Sequence, residues 1–152
     1  TTEIYTLSLH DALPISFYGF RIGIHVLKAP FLGPKSVASA KKAVALDQNN
    51  PLGHIQFGNC YNYMPAFYGG SKTVALESYR KAEKLMEQEP GQTTGDWNYL
   101  NLLSLIGQTY EETGKFKDAK EYYNKILKIE PAFEWVKHGL LPGLTIKMKK
   151  DE

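Results

Sequence analysis

The amino-acid sequence predicts an all-α fold: about three antiparallel helix pairs stacked side by side, followed by a C-terminal capping helix. Three observations carry this reading. Ile22-Gly23-Ile24-His25-Val26, Phe57-Gly58-Asn59-Cys60-Tyr61 and Ile106-Gly107-Gln108-Thr109-Tyr110 place a glycine in one shared frame, with a large apolar residue before it and another three after it. That spacing marks one helix face on which a neighbouring helix approaches closely. A breaker follows each glycine after seven residues, at Pro30, Pro65 and Gly114, and a second amphipathic segment follows each breaker.

Composition bounds the alternatives. At 152 residues the chain suffices for one compact domain or a short repeat array, and 43% hydrophobic content is near the globular average. No apolar run approaches the roughly 20 residues of a membrane-spanning helix. The single cysteine, Cys60, excludes an intramolecular disulfide and a multi-cysteine zinc site. A formal charge of +2 gives no electrostatic case for nucleic acid.

Residues 1–16 resemble the conceptual translation of a sequencing adapter and are set aside from fold reasoning as a non-native segment. Any native N-terminus is then expected to be missing, so the compartment stays open between cytoplasm and periplasm. The helical domain is expected over 17–145, with pairs at about 17–48, 51–88 and 97–131, a cap at 132–141 and a solvated tail at 146–152. In the first pair the connection falls at Ala29–Ser36, and Ala40 and Ala43 lie on the second helix, Lys35–Asp47. The second pair starts at Asn50-Pro51, a good helix-start sequence. Its helices are joined by Met64–Ser71, about five residues longer than a tight helix–helix turn. Its second helix carries Ala75, Tyr79 and Ala82.

The third pair is the most regular. Leu103, Ile106, Gly107 and Tyr110 make one stripe; Phe116, Ala119, Tyr123 and Ile126 make another across the turn at Thr113-Gly114. Pro131 stops the second helix. After it, Phe133–Leu141 supplies the cap, with Trp135 and Val136 offering an apolar face and Pro142 as the stop.

The residues Leu103, Ile106-Gly107, Tyr110, Ala119, Tyr123 and Pro131 resemble the tetratricopeptide repeat. The likeness extends more loosely over 17–131 and is of a bacterial type. It implies a short right-handed α-solenoid in which the first helix of each pair lines a concave, partner-binding side. The residues it places there are Leu52, Ile55, Asn59 and Asn62 on the second pair, with Tyr63 at the edge, and Asn101, Ser104, Gln108 and Glu111 on the third. Lysines needed to hold a C-terminal carboxylate are absent, since Ile55 and Ser104 occupy those sites. The connection Met64–Ser71 is similar to the Pro-x-x-x-Gly-Gly segment of periplasmic solute-transporter accessory proteins. Met64, Phe67 and Tyr68 are costly to expose and are expected to pack back onto the helices, with Phe67 and Tyr68 as a ligand or partner lip.

Little in the sequence points to catalysis. His10, His25, His54 and His138 never form the i, i+4 pair of a helical zinc site, and no metal site is expected. Cys60 reads as a small buried hydrophobe. Gly69-Gly70-Ser71-Lys72-Thr73 lacks the first glycine and the preceding strand of a phosphate loop, so it reads as a turn and N-cap. The expected function is therefore a non-catalytic module for protein–protein interaction, with a protein or peptide partner and no cofactor. The alternative is an envelope solute-handling accessory protein that binds a small ligand.

Overall fold

The computed structural model describes residues 29–88, 93 and 95–150. Every regular element among them is helical: α1 (Ala29–Leu46), α2 (Pro51–Tyr63), a 3₁₀ turn (Ala66–Tyr68), α3 (Lys72–Gln88), α4 (Trp97–Glu112), α5 (Phe116–Ile129), a π-helical turn (Trp135–Leu140) and α6 (Leu141–Lys150). The chain divides into two compact units, Thr1–Leu85 and Met86–Glu152. The adapter-like segment and the Gly23-centred first helix lie outside the described residues.

In the first unit α2 starts where asparagine and proline specify it. Asn50 Oδ1 accepts a hydrogen bond from the Leu52 amide at 3.0 Å, and Pro51 takes the first helical position, where no amide hydrogen is needed. Gly53 and Gly58 are buried, and Gly53 faces Val44 and the backbone of Ala43 on α1. On its other side α2 meets α3: a Cβ at Gly58 would fall inside the Tyr79 ring's contact distance. Ala40, Ala43, Ala75, Tyr79 and Ala82 are almost completely buried, so small residues bring the helices together and one large ring fills the space between them. The connection to α3 is a compact turn. Tyr68 and Gly70 amides donate to the Pro65 carbonyl, and Gly69 takes φ 94°, a conformation natural to glycine. The Ser71 amide then returns to the Tyr61 carbonyl at 3.0 Å.

The second unit repeats the plan. Asp96 Oδ1 caps α4 by accepting from the Asn98 and Tyr99 amides, at 2.6 and 3.1 Å. The turn to α5 is a Schellman closure. The Lys115 amide reaches the Tyr110 carbonyl at 2.9 Å, the Gly114 amide reaches Glu111 at 3.1 Å, and Gly114 has φ 73°. Gly107 is pressed by Tyr123, whose Cε1 would lie 2.5 Å from an added Cβ. Leu102, Leu103, Ile106, Ala119, Tyr123 and Ile126 are fully buried around that contact. Val136 and Leu144 are equally buried on the helical segments that follow α5.

Two sequence expectations are corrected. The segment Ala29–Ser36 is not a connection: α1 runs through it with Pro34 inside the helix. Pro30 lies in the first turn, where its missing N–H costs nothing, and Pro34 withdraws one donor from the second turn. At the other end Pro142 does not stop the last helix, and Lys147–Lys150, expected in a solvated tail, is helical. The preceding π-helical turn explains this. The Leu141 amide bonds to Val136, five residues back, which widens the backbone just before a ring that would otherwise collide with the preceding turn. Within the cap, Val136 is buried as expected, while Trp135 is 50% exposed.

Gly107→Ala is expected to lower the melting temperature despite alanine's better helix propensity. Overpacking against Tyr123 costs about 1–3 kcal/mol, against a propensity gain of about 1 kcal/mol. Gly143→Ala, where an added Cβ meets nothing within 4 Å, should raise it. Thermal unfolding of both variants beside the wild type decides the point.

Candidate functional site

A surface for a partner must come from helix faces left uncovered by the glycine–tyrosine contacts. On α2 the less buried stripe is Leu52, Gln56, Asn59 and Tyr63, spaced by four, three and four residues. Leu52 and Tyr63 are exposed, and Gln56 and Asn59 half-buried. Ile55 and Asn62, both expected on the binding side, are buried instead. Ile55 joins the core. Asn62 accepts the Lys72 ammonium at both its carbonyl and Oδ1, at 2.7 and 3.0 Å, which ties the end of α2 to the start of α3. Asn59 Oδ1 accepts the Tyr79 hydroxyl at 2.7 Å, so the ring that fills the interior also orients an amide at the surface.

On α4, Asn98 and Asn101 are exposed, Gln108 is half-buried and Glu112 is exposed. Ser104 is fully buried and donates to the Leu100 carbonyl at 2.9 Å, so its hydroxyl is absorbed within the helix. Gln108 Nε2 donates to the Ser104 carbonyl at 3.1 Å, anchoring that amide. Gln56, Asn98 and Glu112 complete the stripes and were not among the expected residues. The signal for them was present, because apolar Ile55 at a core position implies that its neighbour Gln56 faces outward.

Glu111 is drawn into a different task. Its side chain is 12% exposed, and it accepts the Tyr123 hydroxyl at Oε2 and the Lys147 ammonium at Oε1, both at 2.7 Å. Burial and the neighbouring Glu111 carboxylate push the Tyr123 phenol far above its ordinary range. The same arrangement recurs one helix earlier. Glu87 Oε1 accepts both the Tyr99 hydroxyl and the Lys125 ammonium at 2.7 Å. Burial pushes the Glu87 carboxyl up, but the hydrogen bonds from Lys125 and Tyr99 outweigh it and hold the group below its usual value. Burial pushes Tyr99 up to about 12, and its hydrogen bond to Glu87 adds to the effect. Each triad links three successive helices: α3, α4 and α5 through Glu87, and α4, α5 and α6 through Glu111.

The loop aromatics do not pack back onto the helices. Phe67 is 80% exposed and Tyr68 48%, their rings lying against each other at 4.3 Å. The tight Pro65–Gly70 turn fixes the backbone on its own, which removes the need for a hydrophobic anchor. Cys60 is half-buried with its Sγ 3.3 Å from the Ser36 hydroxyl, and burial pushes its thiol up, away from the reactive thiolate. Among the described residues no helix is long and apolar enough to cross a membrane.

These features define a protein built of repeated helix hairpins closed by glycine–tyrosine contacts. Residues 100–133 match the family model described as tetratricopeptide repeat, and that stretch, from α4 through the end of α5, is such a repeat. No curated protein matches the chain.

His54 gives this surface helix a pH signature. It is buried on α2, and Nε2 donates to the Gln48 carbonyl at 2.8 Å. Burial, more than any neighbouring charge, holds its pKa below 6.5. Between that ordinary value and the lower folded one, the unfolded chain binds more protons. The stabilisation from neutral His54 is therefore present above about pH 6.5 and is lost as the pH falls through the folded pKa. The melting-temperature difference between wild type and His54→Gln should shrink from pH 8 to pH 5; a constant difference would contradict the assignment.

Proposed function

We propose that this chain is a non-catalytic protein–protein interaction module that holds an extended segment of a partner along the outer stripe of α4, with the α2 stripe available for a further contact. The tetratricopeptide repeat at residues 100–133 supports the class of function, since such repeats generally serve as scaffolds for protein contacts. The observation that carries the finer reading is the state of the amides. Gln108 is tethered to Ser104 and Asn59 to Tyr79, while Asn101 lies exposed on the same side of α4 as Gln108. Tethered amides lose little conformational entropy when a ligand binds. Amide side chains also pair with the alternating donors and acceptors of an extended backbone without demanding one side-chain sequence. The stripe on α2 ends in Tyr63, 69% exposed, which supplies apolar area one turn beyond Asn59.

Of the residues expected at the interface, Asn59, Tyr63, Asn101 and Gln108 keep the role of contact residues. Ser104 anchors Gln108 through its carbonyl, while Ile55, Asn62 and Glu111 serve the packing and tying of the helices instead. The double variant Asn101→Ala/Gln108→Ala should keep wild-type helicity by circular dichroism. It should lose a captured partner by about tenfold in affinity, the effect of removing two hydrogen-bonding side chains. Equal capture by wild type and variant would sink the α4 face as the binding surface.

A further inference from the structure

Trp97 and Trp135 are the only tryptophans in the sequence, and both stand in solvent on the second unit, 68% and 50% exposed. Phe133 lies between them and is 7% exposed. The Trp97 ring meets Phe133 at 5.4 Å with an interplanar angle of 61°, and Trp135 meets the same ring at 6.4 Å and 66°. A buried phenyl floor thus carries two steeply set indoles. Two exposed indoles set on one buried ring make a contiguous apolar patch, which is costly to leave in water.

Carboxylates flank the rings along the chain. Asp96 directly precedes Trp97, and no lysine or arginine occurs from residue 85 to 114. From 129 to 136 the chain contains Glu130 and Glu134 and again no base. Two of these carboxylates are fixed in the turns that bear the rings: Asp96 accepts from the Asn98 and Tyr99 amides beside Trp97, and Glu130 accepts from the Ala132 amide at 3.2 Å, just before Phe133. Lys128 precedes Glu130 by two residues, Lys137 and His138 follow Trp135, and His138 lies 3.1 Å from Glu134. Indole faces attract cations through their quadrupole, tryptophan most strongly, and a planar guanidinium stacks on them while pairing with carboxylates.

We propose that the Trp97–Phe133–Trp135 surface anchors an arginine-bearing, basic segment of the partner protein. Trp97 is four residues before Asn101 on the same side of α4, so the anchor extends the amide stripe to its N-terminal end. The proposal rests on the reading of that stripe as a partner face and names the chemistry of what it holds. A neutral proline-rich segment would use the rings but not the carboxylates, and an acidic one would be repelled.

Because the chain has two tryptophans, its indole fluorescence reports on this surface alone. Titrating the full chain with a short peptide of alternating glycine and arginine should give a saturable emission change that weakens as salt is added. A glycine–glutamate peptide and a proline peptide should give none. Trp97→Leu, at an exposed position, should keep its circular dichroism and bind the arginine peptide about five- to tenfold more weakly, with Trp135 still reporting. A flat titration, equal binding of a control peptide or unchanged affinity in Trp97→Leu overturns the arginine anchor, even where Asn101→Ala/Gln108→Ala still loses its partner. If that double variant keeps its partner while the arginine peptide binds as expected, the amide stripe fails and the anchor stands.

Discussion

A tyrosine ring laid on the bare backbone of a glycine is the contact on which both units are organised. Tyr79 on Gly58 and Tyr123 on Gly107 bring paired helices close together, and Ala75, Ala82 and Ala119 beside these rings along the chain are fully buried. Any side chain at either glycine would separate the helices and open space around the surrounding leucines and alanines. The contact also sets register, because the ring fits over one backbone position and each outer stripe is then determined by helical spacing. The two copies differ in how far apart glycine and tyrosine lie along the chain, and the longer Met64–Ser71 connection absorbs that difference without altering the contact.

The use of tyrosine rather than phenylalanine adds a requirement, since a largely buried hydroxyl needs an acceptor. The first unit supplies the Asn59 amide and the second supplies the Glu111 carboxylate. A neutral acceptor leaves the matter there. A carboxylate invites a cation, and Lys147 provides it from two helices further on. Tyr99, Glu87 and Lys125 repeat that solution. The acceptor therefore decides whether an interior ring merely orients a surface amide or joins a third helix to the pair.

Most of the helix plan was legible because its determinants are local. Gly58 and Gly107, Asn50-Pro51, Thr113-Gly114 and Pro131 each act within a few residues, and the structure follows them, while the Gly23 copy of the frame lies outside the described residues. The errors arose where proline was read as a stop without regard to its place in the helix. Pro34 lies in the second turn of α1, and Pro142 follows a π-helical turn that makes room for it. Of the surface, the amides Asn59 and Gln108 were legible from helical spacing. The burial of Asn62 and Ser104 was not, because it depends on Lys72 and on the crowding of α4 by leucines on both flanks. The service of Glu111 was hidden too, since Lys147 is 36 residues away and nothing local connects them.

The carboxylate–tyrosine–lysine triads have a consequence for how such a chain can be lengthened or shortened. Each draws its three members from consecutive helices, so its boundaries straddle the hairpins rather than coincide with them. Cutting out α4 with α5 would strand Glu87 without its phenol and ammonium, and would leave Lys147 with no counter-ion at Glu111. Duplication or excision that respects the hairpin alone breaks this stitching; the unit that can be copied intact overlaps its neighbour by one helix.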